Sequence, residues 1–148
     1  MNYALMRKEL ERDEGVKREV YLDTKGIKTC GIGFNLEAHS LPEGITFPLS
    51  DDEITTLFDI TAKDVKRGLD TYLPWWSTLD EVRQRVIFNM AFNLGISKLL
   101  TFKNTLSAIH RGDYKQAAEN MKASLWYSQV KGRAVRLTKA MLTGVMPK

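Results

Sequence analysis

One stretch of the chain, residues 13–33, limits the possible folds more than any other. Glu14 stands one step before Gly15, and a glycine at such a position ends a helix because it readily adopts the left-handed backbone conformation. Asp23 then opens an Asp-Thr-Lys-Gly tetrapeptide typical of a tight turn, and residues 27–32 alternate apolar and polar side chains as a short strand does. The stretch therefore predicts a helix end, a strand, a turn and a second strand in succession.

This succession would hold two carboxylates on different rigid elements. Glu14 belongs to the helix end and Asp23 to the turn, so the pair would keep a fixed separation. Hydrolysis of a glycosidic bond requires such a pair, with one carboxyl protonating the leaving oxygen and one ionised carboxylate acting as base or nucleophile. A separation of roughly 6.5 to 9.5 Å favours attack by water with inversion, and about 5 to 5.5 Å favours a covalent intermediate.

The composition excludes several other classes of protein. The 148 residues suffice for one compact domain or two small lobes, and no apolar run approaches the roughly 20 residues that cross a bilayer. The single cysteine, Cys30, cannot form an internal disulfide, and neither histidine has a partner at metal-ligand spacing. The net charge of +4 attracts polyanions, but the 22 basic residues are interleaved with 18 acidic ones instead of clustering as in nucleic-acid-binding proteins.

Helical periodicity dominates the rest of the chain. Ser50 and Glu53 form a capping box that starts a long helix running to Pro74, and Thr78 and Glu81 form a second capping box. The segment 35–49 is rich in turn-forming residues and is predicted as a loop. The other predicted helices cover residues 2–13, the segment up to Gly95, residues 101–110, the segment after Asp113, and residues 133–142.

Two groups of residues resemble one known family. The first group is Glu14-Gly15, Tyr21-x-Asp23, Gly26, Thr29, Gly31 and Gly33. The second is the segment 88–93, Phe102-x-Asn104-Thr105-Leu106, Ala117-Ala118-x-Asn120, and Trp126-Tyr127 with Arg133 and Arg136. Together they resemble the signature of the phage T4-type lysozymes, which are glycoside hydrolases and endolysins that cut bacterial peptidoglycan. The likeness spans nearly the whole chain.

The resemblance implies a single lysozyme domain with an α+β, mostly helical fold. It implies a small N-terminal lobe with a short antiparallel hairpin, over about residues 13–50. Residues 1–12 and 74–148 are expected to form a helical lobe, and the helix over residues 51–73 is expected to join the two lobes.

The resemblance also implies a function and a set of site residues. We expect a muramidase that hydrolyses the β-1,4 bond between N-acetylmuramic acid and N-acetylglucosamine and so lyses a host cell. Glu14 would be the general acid, and Asp23 with Thr29 would position or activate water. Asparagine amides both donate and accept hydrogen bonds, and an aromatic ring suits the face of a sugar. The residues expected to bind the glycan are Asn35, Phe92, Thr105 and Asn120, with Asn89, Asn93 and Phe102 as further candidates.

The sequence departs from the family pattern at two positions. Phe34 stands where these enzymes often have a histidine, which puts in doubt a salt link at the base of the hairpin lobe. Leu125 stands where an arginine often precedes the Trp-Tyr pair, so one cation is missing from the expected cleft rim. Neither departure affects Glu14, Asp23 or Thr29.

Other functions fit parts of the sequence. A non-catalytic binder of wall glycan or nucleic acid would account for the basic charge, but it would not need Glu14, Asp23 and Thr29 together. A lytic transglycosylase cleaves the same bond without water and would not need Asp23.

The expected partners follow from the muramidase interpretation. We expect peptidoglycan as the substrate, no nucleic acid, no membrane anchoring, no metal or cofactor, and a monomer. The charged N-terminus lacks the apolar core of a secretion signal, so the protein is expected in the cytoplasm of a host bacterium until its release to the periplasm and wall. That release could depend on a separate holin.

Overall fold

A computed structural model describes all 148 residues and divides them into two compact units. The first unit is Tyr3–Asp64, and the second is Met1–Asn2 with Val65–Lys148. Eight α-helices and one three-stranded antiparallel sheet give the α+β, mostly helical architecture that the sequence predicts. None of the helices has the length and apolar character needed to cross a membrane.

The first unit contains the sheet and the helix that precedes it. Its elements in chain order are α1 (Tyr3–Glu14), β1 (Lys17–Leu22), β2 (Lys28–Gly31), β3 (Phe34–Asn35) and the first part of α2 (Asp51–Tyr72). The sheet order is β1-β2-β3, so β2 is the central strand. The hairpin of β1 and β2 is the one that the stretch 13–33 predicts, whereas the short third strand was not predicted.

Helix α1 packs on the first half of α2. The Tyr3 hydroxyl donates a 2.7 Å hydrogen bond to Asp59, and Arg7 donates one of 2.7 Å to the Thr55 hydroxyl. The Arg7 guanidinium also lies over the Phe58 ring, 5.7 Å from its centroid. Helix α1 therefore lies in the same unit as the sheet, whereas residues 1–12 were expected in the helical lobe.

Helix α2 begins at the predicted capping box. The Ser50 N–H donates to the Glu53 carboxylate at 2.9 Å, and the Glu53 N–H donates to the Ser50 hydroxyl at 3.1 Å. Both N–H groups would otherwise lack a partner at the helix start. The helix starts at Asp51 as predicted, and the chain leaves it two residues before Pro74.

The second unit is built from helices that pack around one apolar core. Buried side chains of α3, α6 and α8 dominate that core, among them Ile87, Met121 and Leu137. After α2 come a 3-10 helix (Pro74–Thr78), α3 (Glu81–Leu94), α4 (Ile96–Leu99), α5 (Lys103–His110), α6 (Tyr114–Lys122), α7 (Leu125–Val130) and α8 (Gly132–Thr143).

One capping prediction in this unit is wrong. The N-cap of α3 is Asp80, whose carboxylate accepts from the Arg83 N–H at 3.1 Å. The Thr78 hydroxyl instead donates to the Trp75 carbonyl at 2.7 Å inside the 3-10 helix. Pro74 starts that short helix, which continues to Thr78, so Thr78 is not available as a cap. The N-cap of α3 therefore lies two residues after the predicted one. Two short helices, α4 and α7, were not predicted.

Candidate active site

Glu14 is the last residue of α1, at the end predicted for it. The Gly15 N–H donates to the Glu11 carbonyl at 2.9 Å, and Gly15 has a φ of +77°, so the helix stops there. Glu14 is partly buried, which gives its carboxyl contact with both protein and solvent. The helix end thus places one carboxyl at a fixed point of the first unit.

Asp23 is held by the backbone of the turn that it opens. One carboxylate oxygen, Oδ1, accepts 2.8 Å hydrogen bonds from the N–H groups of Lys25 and Ile27. The Asp23 carbonyl accepts from the Gly26 N–H at 3.0 Å, and Gly26 has a φ of +77°, which suits glycine. Because Oδ1 serves the turn, Oδ2 is the oxygen that can act on another group.

Thr29 lies on β2 and is buried, with 4% of its surface exposed. Its hydroxyl donates to the Ile27 carbonyl at 2.9 Å. A hydroxyl that donates its hydrogen bond to a carbonyl still has lone pairs that accept another hydrogen bond. The Thr29 hydroxyl can therefore accept a hydrogen bond from a bound water.

Tyr21 belongs to this site although the sequence analysis gave it no role. It pairs with Thr29 across β1 and β2. Burial raises the pKa of the Tyr21 phenol, and the negative charges of Glu14 and then Asp23 raise that pKa further. The charges of both carboxylates therefore act on one phenol, and the residue that carries it is the strand partner of Thr29. In the sequence, the position of Tyr21 two residues before Asp23 could have indicated that the two side chains lie near each other.

Asn35 lies at the end of the sheet in the same unit. It pairs with Thr29 across β2 and β3, and its side-chain oxygen accepts from the N–H groups of Glu37 at 2.8 Å and Ala38 at 3.0 Å. This Asx turn fixes the orientation of the amide and leaves its NH2 group as the donor for a ligand.

The second unit carries a groove of about 430 Å³. Thr105 and Asn120, two of the predicted glycan-binding residues, line it together with the rings of Phe102 and Trp126, which meet edge to face. The groove thus combines hydroxyl and amide groups with aromatic surface. Its full lining is Lys98, Thr101, Phe102, Lys103, Asn104, Thr105, Asn120, Ala123, Ser124, Leu125, Trp126 and Gln129.

The other predicted binding residues of this unit do not line the groove. Phe92 is partly buried on α3. The amide oxygen of buried Asn89 accepts a 2.8 Å hydrogen bond from Arg133, and that of Asn93 accepts one of 2.9 Å from the Trp126 indole. Both asparagines therefore support the helical packing through their oxygens, and their binding of glycan stays a prediction.

The two departures from the family pattern have clear structural places. Phe34 is fully buried, and its ring packs against His39 with centroids 5.4 Å apart. His39 Nε2 lies 3.3 Å from a carboxylate oxygen of Asp64 on α2. This unit therefore has a contact between a histidine and a carboxylate, but the histidine is at position 39 and not at position 34. Leu125 is 71% exposed at the groove, where a cation was expected.

The remaining reactive side chains form no further site. The structure brings together no group of three or more His, Cys, Asp and Glu residues that could hold a metal ion. Cys30 is fully buried, and its burial raises the pKa of the thiol, which keeps it in the unreactive protonated form.

Comparison with known proteins gives consistent matches over most of the chain. The sequence profile of the phage lysozyme family matches residues 11–140. The pre-baseplate central spike protein Gp5 of Enterobacteria phage T4 is 33% identical over 94% of this chain, which spans 28% of that protein. The Dictyostelium discoideum protein named "Probable T4-type lysozyme 1" is 31% identical, and the match covers 93% of each chain. Peptidoglycan hydrolase gp36 of Pseudomonas phage phiKMV is 28% identical over 91% of this chain and 15% of its own length.

The fold and the matches together define the class of protein. A small antiparallel sheet, a helix that ends in a carboxyl and a helical unit with a groove lined by polar and apolar side chains fit a lysozyme-like glycoside hydrolase. The chain belongs to the phage lysozyme family, because the family profile covers residues 11–140 and a lysozyme relative matches over 93% of both chains.

Proposed function

We propose that this protein is a muramidase that hydrolyses the β-1,4 bond between N-acetylmuramic acid and N-acetylglucosamine in bacterial peptidoglycan. The observation that carries the proposal is the pair of carboxyls on two different backbone elements: Glu14 ends α1, and backbone N–H groups of the β1-β2 turn hold Asp23. The charges of both carboxyls raise the pKa of the Tyr21 phenol. The printed names of the lysozyme and peptidoglycan hydrolase relatives support the same substrate class.

The proposed mechanism divides the chemistry between the two carboxyls. Glu14 gives its proton to the leaving glycosidic oxygen as the bond to the anomeric carbon breaks. A water held by Asp23 Oδ2 and the Thr29 hydroxyl attacks that carbon and gives its own proton to Asp23. One bond breaks, one bond forms, and the two protons balance. Attack by water from the opposite side inverts the anomeric configuration.

Each unit, taken by itself, offers groups proposed to contact the glycan. Thr105 and Asn120 line a groove in which the partly exposed Phe102 ring suits a sugar face, and its amide and hydroxyl groups suit N-acetyl and hydroxyl substituents. Asn35 adds an oriented amide donor close to the sheet. Phe92 on α3 is proposed as a further apolar contact, with Asn89 and Asn93 as secondary ones through their NH2 groups.

We propose an endolysin role for the activity. The protein would wait in the host cytoplasm as a monomer and reach the wall when the membrane is opened, with a holin as the simplest means. The chain spans 28% of the length of the T4 spike protein and 15% of the phiKMV hydrolase, so a wall-degrading domain of a larger virion protein is the second candidate.

The proposal is tested with purified walls and outer-membrane-permeabilised cells. Wild type should clear their turbidity, whereas Glu14→Gln should lower the rate by about 100-fold to 10,000-fold, since it removes the general acid. Glu19→Gln, which neutralises an exposed carboxylate on β1, is the matched control and should keep the wild-type rate.

Other results would lead to other functions. Retained glycan binding without clearing by the wild type would show a binding module. Clearing that releases anhydro sugars and persists in Asp23→Asn would show a lytic transglycosylase. Clearing that survives in Glu14→Gln would refute the assigned acid.

A further inference from the structure

Two glycines with nearly equal φ values lie at the connection between β2 and β3, Gly31 as the last residue of β2 and Gly33 in the turn. Gly31 and Gly33 have φ values of +60° and +59°, and they flank Ile32, which is 1% exposed. Cys30 and Phe34 pair across the strands on either side of the turn, and both side chains are fully buried. Buried neighbours therefore anchor the turn, so it cannot move without disturbing the core of the first unit.

The surroundings of the two glycines are very different. A Cβ atom at Gly33 would lie 2.9 Å from Oε2 of Glu14, 3.1 Å from its Cδ and 3.2 Å from its Cγ. A Cβ atom at Gly31 would meet Leu49 at 3.8 Å and Leu57 at 4.0 Å, which are ordinary van der Waals distances. Backbone conformation explains a glycine at both positions, but only at Gly33 is the missing side chain also required by a neighbour.

That neighbour is the proposed catalytic acid. Three consecutive atoms of the Glu14 side chain, Cγ, Cδ and Oε2, lie around the position that a Cβ atom at residue 33 would occupy, so more than the tip of the carboxyl group is involved. A side chain at position 33 could be accommodated only if Glu14 rotated away or the anchored turn shifted. Glu14 is the more mobile of the two, because the turn is buried.

We propose that Gly33 is a positioning residue for Glu14, because its missing side chain creates the space in which the acid's carboxyl is held against the β2-β3 turn. The contact stands by itself, while its catalytic consequence rests on the proposed function. A displacement of about 1 Å in a catalytic group can lower a rate about 100-fold, so one added methyl group at this position is sufficient to impair the reaction.

The contact is tested by thermal unfolding, without reference to activity. Gly33→Ala and Gly31→Ala are made in the wild type and in a Glu14→Ala background. Both should lower Tm, since alanine is strained at a φ near +60°. Gly33→Ala should lower it further, and Glu14→Ala should abolish that additional loss without changing the effect of Gly31→Ala. Equal effects of Gly33→Ala in both backgrounds would overturn the contact.

The positioning role is tested by steady-state hydrolysis of soluble glycan strands. Gly33→Ala should lower kcat about 100-fold with KM within about twofold, and the pH-rate profile of the residual activity should be displaced because the acid lies in a new environment. Gly31→Ala, measured below its own Tm, should keep the kcat and the pH profile of the wild type.

The outcomes separate the two proposals. Coupled unfolding with an unchanged kcat in Gly33→Ala would overturn positioning while keeping the contact. Loss of activity equal to that of Gly31→Ala would assign the effect to backbone strain and also overturn it. An inactive wild type would refute the proposed function, and the unfolding experiment would still decide whether Gly33 accommodates Glu14.

Discussion

The two units of the molecule hold their polar groups in different ways. In the first unit the backbone positions the two proposed catalytic carboxyls: two N–H groups fix Asp23, a helix end presents Glu14, and Gly33 of the β2-β3 turn leaves space for the Glu14 side chain. In the second unit side chains hold one another, since Arg133 donates to Asn89 and Trp126 donates to Asn93. Groups held by local backbone are readable from short motifs, whereas groups held by distant side chains are not.

The largest expected effect is in the first unit, where Asp23→Asn should lower the rate of hydrolysis without lowering the stability. Asp23→Asn removes the charge but retains an oxygen that can accept from the Lys25 and Ile27 N–H groups. Hydrolysis should therefore fall by about 100-fold to 10,000-fold while Tm stays the same. Rates and melting curves of the same preparation check this. A fall in Tm matching the fall in rate would mean that the carboxylate is mainly structural.

A substitution in the second unit should show the opposite pattern. Asn89→Ala leaves the buried Arg133 guanidinium without one of its acceptors, which should lower the free energy of unfolding by about 1.5 to 3 kcal/mol. Urea unfolding measures the loss, with the exposed Asn104→Ala as the control. A loss no larger than that of the control would remove the basis for the comparison of the two units.

A locally encoded cap should have a smaller effect. Ser50→Ala removes the hydroxyl that accepts from the Glu53 N–H, at a cost of about 1 kcal/mol in unfolding free energy. Hydrogen bonds from the backbone N–H groups of Ser50 and Thr46 chiefly lower the pKa of Glu53, and Ser50→Ala keeps both of these N–H groups. The stability that comes from the ionised Glu53 carboxylate should therefore persist in the variant, where it is present above the usual glutamate pKa and is lost as the pH falls through the lower, folded-state value. Ser40→Ala, in an exposed loop, is the control and should leave stability unchanged at every pH.

The smallest expected effect is a change in the pKa of Tyr21, which tests whether both carboxyls lie near its phenol. Its raised pKa means that the folded protein favours the neutral phenol, so this contribution to stability is present below the usual tyrosine pKa and declines as the pH rises through the folded-state value. Glu14→Gln and Asp23→Asn should each lower the pKa of Tyr21, because each removes a neighbouring negative charge. Absorbance titration of phenolate, with Tyr21→Phe subtracted, measures the shift. No shift in either variant would place the carboxyls away from the phenol.

The difference between the units also explains what could be predicted from the sequence. The capping box at Ser50, the turn at Asp23 and the helix end at Glu14 are short-range patterns, and the structure contains all three. The N-cap of α3 was missed because a proline-started 3-10 helix shifted its start to Asp80.

Two features of the site depend on contacts that no local pattern encodes. Gly33 is a glycine of a turn in the sequence, and only the three-dimensional structure shows the Glu14 side chain against it. The groove of the second unit arises where residues from four helical segments meet, so Thr105 and Asn120 could be named only by resemblance to a family.

The most direct test of the central claim is the source of the oxygen at the new reducing end. Purified glycan strands are digested in water enriched in oxygen-18, and the products are analysed by mass spectrometry, with early-time NMR for the anomeric configuration. Water held by Asp23 and Thr29 predicts one heavy oxygen per cleavage, the inverted anomer first, and loss of product in Asp23→Asn. Anhydro products without heavy oxygen, or a retained anomer, would contradict the account.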